Sequence, residues 1–542
     1  MVRLLKKNSA AKKSLIASGM YLSLMTLLSR ILGLVREMTK AAFLGTSPLA
    51  DAFNFAFALP NFFRRLFAEN SISVAFIPTF RKERDAITTD EDKKRTQEFV
   101  SATFTLVTFL TSLVVAAGMF FAPYLIRLFY SDVTVETLPE TVVLTRIMFP
   151  YLLVISIAAF FQGILNGENI FSPSGFTPVL FNIVVVVFTF VLSPRIQNPA
   201  RAMAVGVITG GVVQALFQLP FVLKTGWRVA LVPLKQCFTN PGTRRVVALI
   251  VPTIIGMAAY QLNDFVSASL AGRAGTGVYS SIQYSLRLQE LMLGVFAVSI
   301  GTVILPDLSG LARAEAWDTF SDLLLNAVKL VALIAIPVTG YSLIAGREII
   351  ALLFKTHRFT EESVHLTLGV FRYHIAGLFF IAVNRIVPPA FYAQGNTRLP
   401  TLAGLVNFAV NIVLAFTLVQ PMRGAGIALA LSVASAVNTV CLLLFLRRMR
   451  TIRTGLFVKS MCGYTAKIAA YTVLAAFPTV FVHRAAVAAW SGHNRLLSYG
   501  VPIVFSAVLF AAIGCVALLV TKDDIMWRVV RRLKQKAMRL KR

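Results

Sequence analysis

The sequence predicts an all-α polytopic membrane protein with fourteen transmembrane helices, and three observations lead there. Of its 542 residues, 57% are hydrophobic and only 14% are charged. A mean hydropathy of +0.73 excludes a soluble globular chain. Apolar runs approaching the ~20 residues that cross a bilayer recur from Leu15 to beyond Gly500. Lys and Arg give a formal net charge of +29 and are concentrated between alternate runs, as in cytoplasmic loops that lie against anionic headgroups. No nucleic-acid-binding motif accompanies that charge, so nucleic acid is not an expected partner.

The first run begins near Leu15, after Arg3, Lys6, Lys7, Lys12 and Lys13. It is about a full span long and ends in Arg36-Glu37 without a small-residue cleavage pattern. That predicts an uncleaved first helix instead of a signal peptide. The remaining runs begin near Leu49, Phe99, Val142, Phe176, Met203, Val246, Ser280, Leu323, Thr367, Thr401, Gly424, Cys462 and Gly500. Pro60, Pro150 and Pro252 interrupt spans, which is tolerated where a neighbouring helix or a cavity satisfies the freed backbone groups. Cys237, Cys441, Cys462 and Cys515 are scattered singly, with no metal-binding spacing.

An even helix count puts both termini on one side of the membrane. The N-terminal tail, Arg81 to Arg95, Lys224 to Arg245, Arg447 to Lys459 and the tail from Lys522 to Arg542 are all basic, and all fall on that side. The positive-inside rule makes it cytoplasmic. The segment from Ser131 to Glu140 lies on the other face and carries Asp132, Glu136 and Glu140 without Lys or Arg.

A repeat is also legible. Ser71-Ile-Ser-Val-Ala-Phe-Ile-Pro78 resembles Ser299-Ile-Gly-Thr-Val-Ile-Leu-Pro306 at an offset of 228, and Asn182-Ile-Val resembles Asn411-Ile-Val at 229. Two collinear matches predict a duplication, and a shift of six helices keeps the halves parallel. The expected organisation is an N-terminal six-helix lobe over 1–228, a second over 229–455, and helices thirteen and fourteen with a basic tail over 456–542.

Charged residues inside the apolar runs carry the chemistry. An arginine at a helix centre costs about 2.5–3.5 kcal/mol on insertion scales, so such residues normally face a bundle interior or a watery cavity. At 100° per residue, Arg30, Gly33 and Glu37 lie near one face of helix one, with Arg36 turned away. In helix two, Arg65 can pair with Glu69 four residues on, whereas Arg64 projects about 100° from Arg65. Pro60, one turn before Arg64, leaves the Ala56 carbonyl without its helical donor and makes room for a kink. Arg287 and Glu290 share a face of helix eight, and Arg385 stands in the tenth span. Guanidinium suits phosphate because its planar fork donates parallel hydrogen bonds and stays protonated. Arg30, Arg64 and Arg287 are therefore the expected substrate-binding arginines, with Gly33, Glu37, Asp51, Pro60 and Glu69 as supporting residues, whereas Arg36 and Arg65 are read first as paired within the protein.

Asp51 and Asp264 are the remaining acids at or near membrane depth. Asp51 is expected to cap a helix or meet a base. Asp264 has no base within one turn and is the stronger cation site. The five histidines, His357, His365, His374, His483 and His493, show no zinc spacing and are expected at surfaces or interfaces. No nucleophile elbow, P-loop or metalloprotease motif is present, so neither an enzyme nor an ATP-driven pump is expected.

Ser29-Arg-Ile-Leu-Gly-Leu-Val-Arg-Glu37, Asp51-Ala-Phe with Leu59-Pro-Asn-Phe-Phe-Arg-Arg-Leu-Phe-Ala-Glu69, Arg287-Leu-Gln-Glu290 with Gly301-Thr-Val-Ile-Leu-Pro306, and Phe391-Tyr-Ala-Gln-Gly-Asn-Thr397 resemble motifs of the MurJ/MviN lipid II flippases, over essentially the whole chain. The resemblance implies a MATE-like fold of the multidrug/oligosaccharidyl-lipid/polysaccharide exporter superfamily in the bacterial cytoplasmic membrane. The implied activity is movement of undecaprenyl-diphosphate-linked peptidoglycan precursor from the cytoplasmic to the periplasmic leaflet. Arg30, Arg36, Arg64, Arg287 and Glu290 match charged cavity positions of the family, Arg385 matches a basic one, and the spans from Cys462 and Gly500 match a groove for the lipid tail.

Some members carry a sodium-site aspartate in helix seven. This sequence has Ser267 there, with Asp264 one turn earlier, which leaves Na+ or the membrane potential as the energy source. Glu37 stands where the family usually has Asp, and Leu286 where an acid often precedes the helix-eight arginine. No cofactor is implied. The implied partners are lipid II, membrane lipids and other cell-wall synthesis proteins. The rivals are an exporter of another polyprenyl-linked glycan or of drugs, which needs fewer cavity arginines, and a membrane scaffold, whose arginines would all pair with acids.

Overall fold

In the computed structural model, the described residues, 2–66, 72–129, 137–449, 452 and 454–527, form helices and turns and no strand. The helices are α1 (Val2–Leu44), α2 (Pro48–Arg64), α3 (Ile77–Asp85), α4 (Asp90–Phe120), α5 (Ala122–Phe129), α6 (Leu138–Met148), α7 (Pro150–Gly167), α8 (Ser172–Ile196), α9 (Pro199–Lys224) and α10 (Leu234–Thr239). They continue with α11 (Pro241–Arg273), α12 (Val278–Arg313), α13 (Trp317–Phe354), α14 (Glu361–Ala376), α15 (Leu378–Ile386), α16 (Pro388–Tyr392), α17 (Arg398–Met422), α18 (Gly424–Leu446), α19 (Thr454–Ala489) and α20 (Val501–Val520). Wider π-helical turns occupy Ile72–Phe76 and Leu496–Gly500.

All fourteen expected starts fall in helical segments. Among the described residues, nine helices are long and apolar enough to cross a membrane, and α14 with α15–α16 makes a tenth if that pair, bent by 43°, is one span. The other four starts lie in α1, α2, α11 and α12, which carry Arg30, Arg36, Arg64, Asp264 and Arg287. The chain is a multi-pass membrane protein, and the count of fourteen is consistent with this structure.

Two compact units are present, Met1–Ser280 and Ser281–Arg542. In the first, Ser47 caps α2 by accepting from the Ala50 N–H at 3.3 Å, with Pro48 supplying a preset first-turn φ. The α2 helix continues through the buried Pro60. A Thr89–Asp92 capping box opens α4. Aromatic rings fill the core, with Phe76 lying 5.5 Å from Phe80 and 4.6 Å from Phe160 between ring centres. The α8–α9 pair approaches closely at Gly206, where an added Cβ would sit 3.2 Å from the Val185 Cα. By packing, α11 belongs to this unit.

In the second unit, α17 and α18 form the corresponding antiparallel pair, turning through Arg423 at φ 49°. The break between α14 and α15 falls at Gly377, where a Cβ would lie 2.3 Å from the Ser432 Oγ. The α19–α20 hairpin packs chiefly on α13. At one end the buried Asp523 accepts from Lys467 Nζ at 2.8 Å and Tyr464 Oη at 3.2 Å. At the other, Arg495 donates to the carbonyls of Leu352 at 2.9 Å and Lys355 at 2.6 Å, satisfying the open C-terminal carbonyls of α13.

Candidate functional site

In the first unit α1 carries four consecutive points of charge chemistry. Arg30 is half-buried and Gly33 is buried. Arg36 is half-buried, lies 5.7 Å from the centre of the Phe181 ring, and donates to Glu37 Oε1 at 3.0 Å. Glu37 is buried, and its other oxygen lies 2.5 Å from Lys40 Nζ. Lys40 is 5% exposed and reaches across to α2, donating to Asn54 Oδ1 at 3.1 Å. Asn54 donates in turn to Ser280 Oγ at 2.9 Å, and Ser280 Oγ donates to Asp51 Oδ1 at 2.6 Å. Arg36, Glu37, Lys40, Asn54, Ser280 and Asp51 thus form a continuous polar chain in a region that is otherwise apolar, with alternating charge along its first three members. Such a chain holds its charges in the interior because each has a partner.

Asp51 does cap a helix, though not its own. It accepts from the N–H of Gly277 at 2.6 Å and of Ser280 at 2.9 Å, at the start of α12, while Ser47 caps α2. Replacing Asp51 with Asn leaves one acceptor oxygen for three donors. We expect Asp51→Asn to cost about 1–3 kcal/mol of stability. The check is the thermal unfolding midpoint of the purified protein, which would be unchanged if these bonds carried nothing.

Arg64, at the end of α2, is half-buried and donates to Asn61 Oδ1 at 2.9 Å, one turn back. Arg65 beside it is half-buried, and Glu69 lies outside the described residues. On α11, Ser267 is half-buried, and the Asp264 side chain lies outside what is described.

In the second unit, Arg287 and Glu290 pair at 3.3 Å, one turn apart on α12, with 26% and 57% of their side chains exposed. Arg385, in the last turn of α15, is exposed. Two histidines depart from expectation. His357, His365 and His493 are exposed, but His374 and His483 are buried. The His374 Nδ1 lies 2.7 Å from Ser285 Oγ. The imidazole of His483 bridges Ser506 Oγ at 2.9 Å and Glu348 Oε2 at 3.0 Å. Hydroxyls and a carboxylate on neighbouring helices meet one polar edge of His374 and both of His483, which the sequence spacing of the histidines does not reveal.

Lys40, Asn54 and Ser280 are the polar residues that sequence reading missed. The Glu37–Lys40 spacing of i, i+3 was an available signal. The Asn54–Ser280 bond joins positions 226 apart and leaves no local trace.

Against known proteins, the family model "Lipid II flippase MurJ" matches residues 40–499. A "Probable lipid II flippase MurJ" of Treponema pallidum is 44% identical over 526 residues, covering 97% of this chain and 99% of that one. One of Vibrio cholerae is 32% identical, covering 79% and 82%. Among solved structures, "Lipid II flippase MurJ, inward closed conformation" aligns with a TM-score of 0.77 at 23% identity, over 93% of this chain and 99% of that one. An inward-facing multidrug resistance MATE family transporter of the MOP superfamily aligns at 0.63 and 15% identity, over 80% and 96%. The two structural likenesses show the MATE-like fold, and the match over most of the chain together with the 44% identical relative shows that this chain belongs to the lipid II flippase MurJ family.

Proposed function

We propose that this protein moves lipid II, the undecaprenyl-diphosphate-linked peptidoglycan precursor, from the cytoplasmic to the periplasmic leaflet by alternating access of two lobes. In this reading the lobes are 1–228 and 229–455, with the helices of 456–542 outside the repeat, both termini are cytoplasmic, and Arg30, Arg36, Arg64, Arg287, Glu290 and Arg385 receive the diphosphate and its sugar-peptide headgroup. The observation that carries it is the set of half-buried guanidiniums on α1 and α2 in a chain of this family.

A bare diphosphate in hydrocarbon would incur the penalty of unpaired buried charge, and guanidiniums remove most of it. Arg64 is held by a neutral amide at Asn61, and Arg36 by Glu37. Release requires the site to weaken in the outward state, since a ligand held equally in both states shifts no equilibrium.

Replacing Arg64 with Ala is expected to slow precursor export about tenfold, the loss of one charge-assisted hydrogen bond. The measurement is appearance of precursor in the outer leaflet of depleted cells carrying the variant. Normal export with full complementation removes Arg64 from the site. Coupling to Na+ through Asp264 and Ser267, or to the membrane potential, is read by the same transport in vesicles under each gradient imposed alone. Partners beyond lipid II and membrane lipids are other cell-wall synthesis proteins.

A further inference from the structure

The end of the α19–α20 hairpin opposite Asp523 forms a cleft of about 490 Å³ with the end of α13, within the range of small-ligand sites. Its walls include Arg347, Lys355, Arg495, His493, Ser498 and Tyr499, and no carboxylate lines it. Two acids outside the lining pair with these cations. Glu361 accepts from Lys355 Nζ at 2.7 Å and from Arg347, and Glu348 accepts from Arg347 at 3.4 Å. Lys355 also donates to Tyr499 Oη at 2.9 Å. The Glu361 carboxylate, followed by the Tyr499 hydroxyl, holds the Lys355 ammonium above the usual lysine range, so it stays charged. Arg495 is fixed by the α13 carbonyls. The cleft therefore presents to an incoming group preset cations and the Tyr499 hydroxyl, which accepts from Lys355 and keeps its own proton to donate. Cations with a hydroxyl donor are the chemistry that binds phosphate.

A second observation bears on what carries the phosphate. The α19 helix, whose end lines the cleft, exposes Val473 at 68%, Phe477 at 72% and Phe481 at 59%, and α20 exposes Val504 at 63% and Val508 at 64%. These residues recur every fourth position, giving each helix an apolar stripe. Basic pockets between transmembrane helices hold lipid headgroups in this way.

We infer that the cleft binds the phosphate headgroup of an anionic lipid of the adjoining leaflet. The inference rests on the membrane-spanning reading and not on which lipid is translocated. On the orientation proposed above, the site is at the periplasmic leaflet.

Trp490 neighbours the cleft, its ring 5.4 Å from that of His493, and provides the probe. The full chain in phosphatidylcholine nanodiscs is titrated with phosphatidic acid brominated in its chains, and the quenching absent from a Trp490→Phe variant is taken as the signal. Brominated phosphatidic acid is expected to quench at lower mole fraction than brominated phosphatidylcholine. Lys355→Gln is expected to weaken that quenching about tenfold, the loss of one hydrogen bond to a charged group, and Lys355→Arg to restore most of it. His493→Ala leaves the Lys355–Glu361 pair intact and is expected to weaken quenching roughly twofold, the scale of an exposed polar contact. It tests the cleft even if Lys355→Gln fails to fold. Equal quenching by the two lipids, or quenching unchanged in both Lys355→Gln and His493→Ala, overturns the proposal. Inorganic diphosphate is added as competitor. Displacement at lipid-equivalent concentrations would mean a soluble anion is the ligand and would overturn the lipid assignment, whereas weak displacement supports it. No translocation is read, so failure of the flippase reading leaves this result untouched.

Discussion

Gly277→Ala is expected to lower the free energy of unfolding by about 4 kcal/mol or more, in the range reserved for strain combined with lost buried bonds. Three features coincide at this residue. Its φ is +77°, a left-handed conformation that costs an L-residue with a side chain. A Cβ there would sit 2.5 Å from the Thr46 backbone oxygen, which cannot rotate aside as the tip of a side chain could. Its N–H donates to Asp51 at 2.6 Å, so any shift that relieves the clash breaks a bond to a buried carboxylate. Purified Gly277→Ala protein should unfold well below the wild type in a thermal or denaturant series. Unfolding at the wild-type midpoint would mean that the turn before α12 is not built as described. Gly275→Ala makes a useful contrast, because that site also has a positive φ, of +115°, but has open space around it.

The second large effect is expected at Lys40. Lys40→Met keeps the length of the side chain and removes its charge. The buried Glu37 then loses its lysine partner while keeping its contact with Arg36, and the Asn54 oxygen loses the Lys40 donor. Breaking a buried ion pair from one side costs about 3–5 kcal/mol when the surviving charge is stranded, and the Arg36 contact places Lys40→Met toward the lower end of that range. The companion is Glu37→Gln in the same background. If the penalty comes from the stranded carboxylate, the double variant recovers much of the stability lost by Lys40→Met, and the cycle returns a coupling energy of roughly 0.5–3 kcal/mol. Strict additivity would show that Lys40 acts through packing. Because Arg36 shares Glu37, the double variant also leaves the Arg36 guanidinium facing a neutral amide in place of a carboxylate, which the flippase reading expects to alter export as well as stability.

Helix positions were legible because a run of apolar residues at membrane length has few alternatives: the backbone must satisfy itself and the side chains must suit lipid. Every start from Leu15 to Gly500 lies in a helical segment for that reason. The need for glycine at the Gly377 break was not legible, since it comes from Ser432 occupying the space where a Cβ would go. Side-chain partners were read less well. Helical phase placed Glu37 with Arg30 and turned Arg36 away, yet Arg36 and Glu37 touch at 3.0 Å because two long side chains reach across 100°. Asp51 was read as a cap, but of which helix only the fold could say, because Gly277 and Ser280 come from far along the chain. The polar edges of His483 likewise find Glu348 and Ser506 on other helices.

The two ties on the last hairpin carry a consequence for how the molecule comes apart. Lys467 to Asp523 closes one end of α19–α20 on itself, and Arg495 anchors the other to the carbonyls of α13. Between those ties the hairpin shows broad apolar surface to its surroundings and holds the rest of its unit chiefly through one helix. An element joined in this way detaches as a single cooperative piece and does not fray helix by helix. Its attachment is therefore set by the surrounding acyl chains as much as by protein contacts, and thinning or stripping that annulus would loosen the hairpin before it disturbed the packing among the other helices of its unit.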